Sequence, residues 1–292
     1  SSNTTSRRNG PTLKTYKEDR LKLLFENLKK EKRGGLGIFI AASDPNLEIS
    51  LEILKRLPQA GADMIELGMP FSDPMADGPT IQAASLRALK SGGSLKRTLE
   101  MVKNFRESDN KTPLVLMGYY NPIYNFGVKD FLIKAIEAGA DGLIIVDLPP
   151  EEDEELCLPA QKYNLPFIRL TAPTSDGERL PTILNNASGF IYYVSIMGIT
   201  GTQSIATQNV QNAVKELKKH TGLPIAVGFG IKTRQDVADV TSFSDAAIVG
   251  SAIVNVIEKS LDANGEGNDK TIADVLALVK DLAAGVRSKK IA

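Results

Sequence analysis

Three carboxylates stand close together in Glu66-Leu-Gly-Met-Pro-Phe-Ser-Asp73-Pro-Met-Ala-Asp77-Gly-Pro, and Glu66 lies inside an apolar run, residues 64–67. A carboxylate in a strand buried on both faces is costly if ionised and unpaired. Such a residue is paired or solvated at the strand end, or it is kept for chemistry. In α/β barrels catalytic residues come from strand ends, which makes Glu66 the first candidate for acid–base work. Asp73 and Asp77 fall in Ser-Asp-Pro and Ala-Asp-Gly-Pro. These are turn sequences, in which Asp often caps its own backbone, so each of the two has a structural reading beside a chemical one.

A second group of residues suits an anion. Ser195-Ile-Met-Gly198-Ile-Thr200-Gly201, Gly228-Phe229-Gly230 and Gly250-Ser251 each follow an apolar run. Glycine lets backbone N–H groups approach an anion closely, and a helix start adds positive potential. Barrel phosphate sites commonly use the loops after the seventh and eighth strands. The bland reading is that these glycines only make tight turns.

Other chemistry is excluded by what is scarce. With one cysteine, Cys157, and one histidine, His220, the chain has no intrachain disulfide, no paired redox cysteines and no zinc site of the usual Cys/His kind. His220 ends Lys-Lys-His-Thr-Gly, which reads as a solvated helix C-terminus where a cation is welcome. Proton carriers are therefore carboxylates, Lys or Tyr. Thirty-five basic residues balance thirty-five acidic ones, which argues against a nucleic-acid binder.

The elements that must position these residues alternate. Apolar runs at 36–42, 64–67, 114–117, 143–146, 167–170, 190–194, 225–227 and 246–249 are nearly continuous, as expected of parallel strands covered on both faces. Helix-length segments separate them. Eight such units in 292 residues predict a single (β/α)8 barrel of the α/β class. A doubly wound sheet would want a Gly-rich fingerprint after the first strand, whereas Gly34, Gly35 and Gly37 precede it. Ala-Gly-Ala-Asp before residues 64 and 142, and Ser244-Asp245 before 246, form a weak internal repeat of αβ turns. Two further helices are expected, over 17–30 before the barrel and over 271–286 after it.

Residues 1–15, rich in Ser, Thr, Asn and Arg, read as a disordered arm, and 16–292 as one catalytic domain. The arm lacks the apolar core of a secretory signal, and no run of apolar residues is long enough to span a membrane. A cytoplasmic location is expected.

Residues 65–82, Ile-Glu-Leu-Gly-Met-Pro-Phe-Ser-Asp-Pro-Met-Ala-Asp-Gly-Pro-Thr-Ile-Gln, closely resemble the signature of the tryptophan synthase alpha subunit family. The resemblance continues through Met117-Gly-Tyr-Tyr-Asn-Pro-Ile123, Asp147-Leu-Pro-Pro-Glu-Glu152, Tyr192-Tyr-Val-Ser, Gly198-Ile-Thr-Gly201, Val227-Gly-Phe-Gly-Ile231 and Gly250-Ser-Ala-Ile-Val254. It spans residues 18 to 288 in order, in wording most like bacterial, alphaproteobacterial-type members.

The resemblance implies a lyase of tryptophan biosynthesis. It would cleave indole-3-glycerol phosphate to indole and glyceraldehyde 3-phosphate by a retro-aldol reaction, with no cofactor and no metal. Glu66 matches the family's catalytic Glu and Asp77 its catalytic Asp. Phe39 matches a residue packed on the indole, Tyr192 one lining the site near Glu66, and Thr200 a loop residue that contacts Asp77. Gly201, Phe229, Gly230, Gly250 and Ser251 match the phosphate cradle. The implied partner is a beta subunit that takes up the indole and itself carries pyridoxal phosphate, in an alpha2beta2 heterotetramer. The loop after the second strand and residues 118–125 match the partner-facing side. There Tyr119, Tyr120, Pro122, Ile123 and Tyr124 predict an exposed aromatic and apolar group.

Two departures stand out. Ala41-Ala42-Ser43-Asp44-Pro45 replaces the family's Thr and Gly before Asp-Pro, and Ser43 is expected to alter the shape of the indole pocket. Ile196-Met197 stands where polar or basic residues are usual. Two other readings stay open at this point: another phosphate-binding barrel lyase, and a non-catalytic barrel subunit that activates a beta partner. Intact Glu66 and Asp77 argue against the second.

Overall fold

The computed structural model describes residues 19–173, 177–195, 203–228 and 230–287. Eight parallel strands occur in chain order: β1 (Gly35–Ala41), β2 (Met64–Gly68), β3 (Leu114–Gly118), β4 (Gly142–Ile145), β5 (Arg169–Thr171), β6 (Ile191–Val194), β7 (Ile225–Gly228) and β8 (Ala246–Val249). Their lateral order is β4-β3-β2-β1-β8-β7-β6-β5. The remaining seam, between β4 and β5, is joined by a bridge of Leu143 with Phe167. There the Ile168 N–H donates to the Leu143 carbonyl at 2.9 Å. The sheet thus curls into the predicted (β/α)8 barrel.

Alternation along each strand decides which residues reach the interior. In β2, Ile65 and Leu67 pack outward on the helices while Met64 and Glu66 point inward. Phe39 of β1 lies in register beside Glu66. Helix α1 (Arg20–Lys30) covers the N-terminal mouth of the barrel. Its Leu21 packs with Met64, Val115, Ile144 and Phe190, and the rings of Phe25 and Phe190 lie 6.0 Å apart. With one mouth closed by α1, the other is left for a site.

The helices beyond α1 are α2 (Leu47–Ala60), α3 (Pro79–Lys90) and α4 (Leu95–Arg106), then α5 (Tyr120–Phe126) and α6 (Val128–Ala138). They are followed by α7 (Cys157–Lys162), α8 (Leu180–Leu184), α9 (Gln203–His220), α10 (Arg234–Thr241), α11 (Ser251–Ser260) and α12 (Asp269–Arg287). A helix lies between every consecutive pair of strands, as the segment lengths predict, but two of them are short. Helices α7 and α8, on either side of β5, have only six and five residues. His220 ends α9, exposed, with Glu216 3.3 Å away, as a solvated helix terminus requires.

The internal repeat has a physical cause. Asp63, Asp141 and Asp245 each precede a strand and accept the N–H of a residue in the preceding strand: Leu36 at 2.9 Å, Leu114 at 2.8 Å and Ile225 at 2.8 Å. Each also donates its own N–H to that same residue's carbonyl. The aspartate thereby ties two neighbouring strands at the α1-covered end. Gly61 and Gly139, the repeat's glycines, cap α2 and α6 with φ of 121° and 111°. Asp141 is fully buried and paired with Arg20 at 3.0 Å and Arg106 at 2.7 Å.

The expected arm, residues 1–15, lies outside the described residues. Among the described residues no helix is long and apolar enough to cross a membrane.

Candidate active site at the C-terminal mouth of the barrel

A cavity of about 380 Å³ opens at the C-terminal ends of the strands. Its lining draws Phe39 from β1, Glu66 from β2, Met117 from β3, Tyr192 from β6 and Ile248 from β8. Glu66 is 1% exposed, and its Oε2 has no hydrogen-bond partner among the described residues. Burial disfavours the charged form and pushes its pKa up to about 8. Near neutral pH it is therefore a largely protonated acid facing an open cavity, able to give a proton and take it back. Tyr192 stands beside it, its phenol held neutral by burial and by the Glu66 carboxyl. Gly228 makes room for that phenol, since a Cβ there would lie 2.4 Å from the Tyr192 oxygen. Gly68 does the same for the Phe39 ring, where a Cβ would come within 2.8 Å.

Asp77 lies on the loop between β2 and α3. Its backbone N–H donates to the Pro74 carbonyl at 3.1 Å, and the Gln82 amide donates to the Asp77 carbonyl at 2.8 Å. The backbone thus makes the turn that its sequence predicts, while the carboxylate is left at the cavity. Oδ2 accepts from the Tyr119 hydroxyl at 3.0 Å. Burial raises the Asp77 pKa, and the Tyr119 hydrogen bond opposes that rise. Asp73 is different: it is exposed, accepts the Ser72 hydroxyl at 3.1 Å and does not line the cavity. Its turn reading holds.

The cavity is also bordered by Gly230, Gly250 and Ser251. Ser251 begins the ten-residue helix α11 and Gly250 caps it without a side-chain hydrogen bond. The leading N–H groups of a helix have no intrahelical partner, and the helix dipole adds positive potential, so this border suits an anion. Gly230 turns with φ of 38°. Lys232, which the sequence reading passed over, also borders the cavity. A basic residue two positions after a Gly-rich turn was the available signal. Ile81, Met117, Val146 and Ile248 supply an apolar lining. The cavity therefore combines a slot for a flat apolar ring, an anion cradle, a neutral acid and a second carboxylate.

The structure brings Glu66, Asp77, Phe39, Tyr192, Gly230, Gly250 and Ser251 together. Thr200, Gly201 and Phe229, with Ile196 and Met197, lie outside the described residues. Two expectations are corrected. Ser43 does not line the cavity: it takes φ of 73° after β1, is buried, and its hydroxyl lies 4.0 Å from the Met101 sulfur. That left-handed turn carries its side chain into the layer between α2 and α4, away from any indole pocket. Nor is 119–124 an exposed aromatic loop. Tyr119 is the N-cap of α5 and 120–124 its first residues; Tyr119 and Ile123 are buried, the Tyr120 hydroxyl donates to Glu155 at 2.9 Å, and Tyr124 alone of the three tyrosines is exposed.

Comparison with known proteins adds an independent line. A family model described as tryptophan synthase alpha chain matches residues 25–287. The crystal structure of tryptophan synthase subunit alpha from Legionella pneumophila strain Paris is similar, with 38% identity and a TM-score of 0.84 over 93% of this chain and 100% of that one. A structure from Aquifex aeolicus matches at 36% identity and a TM-score of 0.82, covering 92% of this chain and 99% of that one. Tryptophan synthase from Mycobacterium tuberculosis, in an aminoacrylate-bound form, matches at 31% identity and a TM-score of 0.81, covering 92% and 100%.

Proposed function

The chain belongs to the tryptophan synthase alpha chain family, and from that premise we propose that Glu66 and Asp77 divide its chemistry between them. As a member of that family it is a lyase that cleaves indole-3-glycerol phosphate to indole and glyceraldehyde 3-phosphate in tryptophan biosynthesis. The observation that carries the assignment is the buried Glu66 carboxyl in the wall of the cavity, its Oε2 without a hydrogen-bond partner among the described residues.

In the proposed sequence, protonated Glu66 delivers its proton to C3 of the indole ring. The ring becomes an indoleninium cation, and Asp77 accepts its N–H and stabilises the positive charge. The Glu66 carboxylate then removes the proton from the hydroxyl on the carbon bonded to C3. That carbon becomes the aldehyde, the carbon–carbon bond breaks, and its electron pair returns to the ring. Indole leaves with the new hydrogen at C3, and Glu66 is again protonated. Phe39 packs on the indole, and Tyr192 lines the site beside Glu66. Gly230, Gly250 and Ser251 hold the phosphate; the family resemblance assigns Gly201 and Phe229 to the same role and Thr200 to contact with Asp77.

A beta subunit is the partner, and the assembly we favour is alpha2beta2, located in the cytoplasm. The domain assignment of residues 16–292 to the catalytic barrel belongs to the same reading. The test is indole release from indole-3-glycerol phosphate by the full chain and by Glu66→Gln. A general acid–base group contributes roughly 10²–10⁴-fold, and one group serving both steps sits at the upper end. The substitution should lower kcat by that factor while phosphate binding persists. Retention of more than about a tenth of wild-type kcat would remove Glu66 from the mechanism.

A further inference from the structure

The loop that carries Asp77 is held from two sides. From α3, Gln82 grips the Asp77 and Pro74 carbonyls, and the Ser85 hydroxyl both accepts from and donates to the backbone of Phe71. These contacts fix backbone only. From the β3 side the Met117 carbonyl accepts the Met69 N–H at 2.8 Å, and Tyr119, which immediately follows the strand, brings a side chain to the loop. It is 6% exposed, and its ring packs on Phe71 with centroids 5.2 Å apart. Its hydroxyl accepts the Ala76 N–H at 3.0 Å and donates to Asp77 Oδ2 at 3.0 Å. Among the described residues it is the one hydrogen-bond partner of the Asp77 carboxylate. Accepting from Ala76 leaves the phenol hydrogen only one direction, toward Asp77.

We propose that Tyr119 is a positioning residue for the reaction: its hydroxyl fixes one oxygen of Asp77 and so leaves the other, Oδ1, aimed and free to accept the ring N–H of the substrate. This inference rests on the assignment of Asp77 as the partner of the indole nitrogen. A donor on Oδ2 also favours the ionised carboxylate, the form that can accept a hydrogen bond and balance a cationic ring. Burial alone drives Asp77 the other way. The ring contact with Phe71 and the hydroxyl bond to Ala76 fasten the loop itself to the residue that follows β3, so Tyr119 and the Asp77 backbone are held as one unit.

Tyr119→Phe keeps the ring and removes only the hydroxyl. The experiment measures kcat and KM for indole release by the full chain across pH, in wild type, Tyr119→Phe, Asp77→Asn and the double variant. Hydrogen bonds to charged groups are worth enough that kcat/KM should fall by about 10–100-fold in Tyr119→Phe. The loss should fall mainly on kcat, because the stabilised charge exists only after ring protonation. The acid limb of kcat/KM should move to higher pH, since Asp77 loses the bond that opposes its raised pKa. In the Asp77→Asn background Tyr119→Phe should have no further effect on kcat.

A Tyr119→Phe variant within about twofold of wild type, with an unmoved acid limb, overturns the role of Tyr119 while leaving Glu66 and the reaction untouched. An undiminished loss in the Asp77→Asn background also overturns it, because the hydroxyl would then act other than through Asp77. Absence of indole release by the wild-type chain would overturn the reaction assignment itself, and this inference with it.

Discussion

Glu66 can be recognised from sequence because a charge inside a continuous apolar run conflicts with the free energy of burial. The conflict also makes it an unstable place for a carboxylate, and linkage gives the direction of the effect. In the folded chain Glu66 titrates near pH 8, whereas in an unfolded chain a glutamate titrates near about 4.3. Between those values the folded chain holds a proton that the unfolded chain has released, so stability falls as pH rises through this window and levels off above it. Glu66→Gln removes the titrating group. Its unfolding free energy should draw level with wild type near pH 4.5 and exceed it increasingly up to about pH 8, so the variant loses turnover and gains stability. Urea unfolding across that range checks this; a stability difference that does not change with pH would mean Glu66 titrates normally. Tyr119, by contrast, could not be read from sequence. Its partner is 42 residues away, and the aromatic run around it suggested a surface, whereas the start of α5 turns Tyr119 and Ile123 inward.

The elements were legible where two signals agreed. Continuous apolar runs and the turn glycines gave eight strands, and their observed bounds differ from the predicted ones by a residue or two. The connections around β5 were less legible. Helices α7 and α8 are too short to show a helical period, and the Arg169 side chain between them is buried through pairing with Asp153 and the Asn185 carbonyl. The Ala-Gly-Ala-Asp repeat was visible, but its function as a tie between adjacent strands needed the hydrogen bonds. That tie has a measurable cost. Asp141→Ala removes the buried carboxylate that Arg20, Arg106 and the Leu114 N–H share, and removing one side of a buried ion pair costs about 3–5 kcal/mol. Asp130→Ala removes an exposed pair with Lys134 and should cost about 0.5 kcal/mol or less. Comparable losses in the two variants, measured by denaturant unfolding, would show that the buried Asp141 ion pairs contribute no more than an exposed pair.

At the scale of the whole molecule, the site is assembled from residues that lie far apart in the chain and meet only because the barrel closes. Phe39 and Glu66 come from adjacent strands, Tyr192 from across the barrel, and Gly250 and Ser251 from the turn that starts α11. Among the described residues, α1 closes the N-terminal mouth and the cavity opens at the C-terminal one. The fold therefore explains how a carboxyl can be nearly dry and still reach a substrate, and this is the condition on which the acid–base account depends. The pH dependence of kcat/KM for indole release by the full chain tests it most directly. Glu66 must be protonated in the free enzyme to act first as an acid, so the account predicts a descending limb near pH 8, falling about tenfold per pH unit beyond it. A rate that stays flat from neutral pH to about 9.5 would contradict the claim that this buried carboxyl supplies the proton.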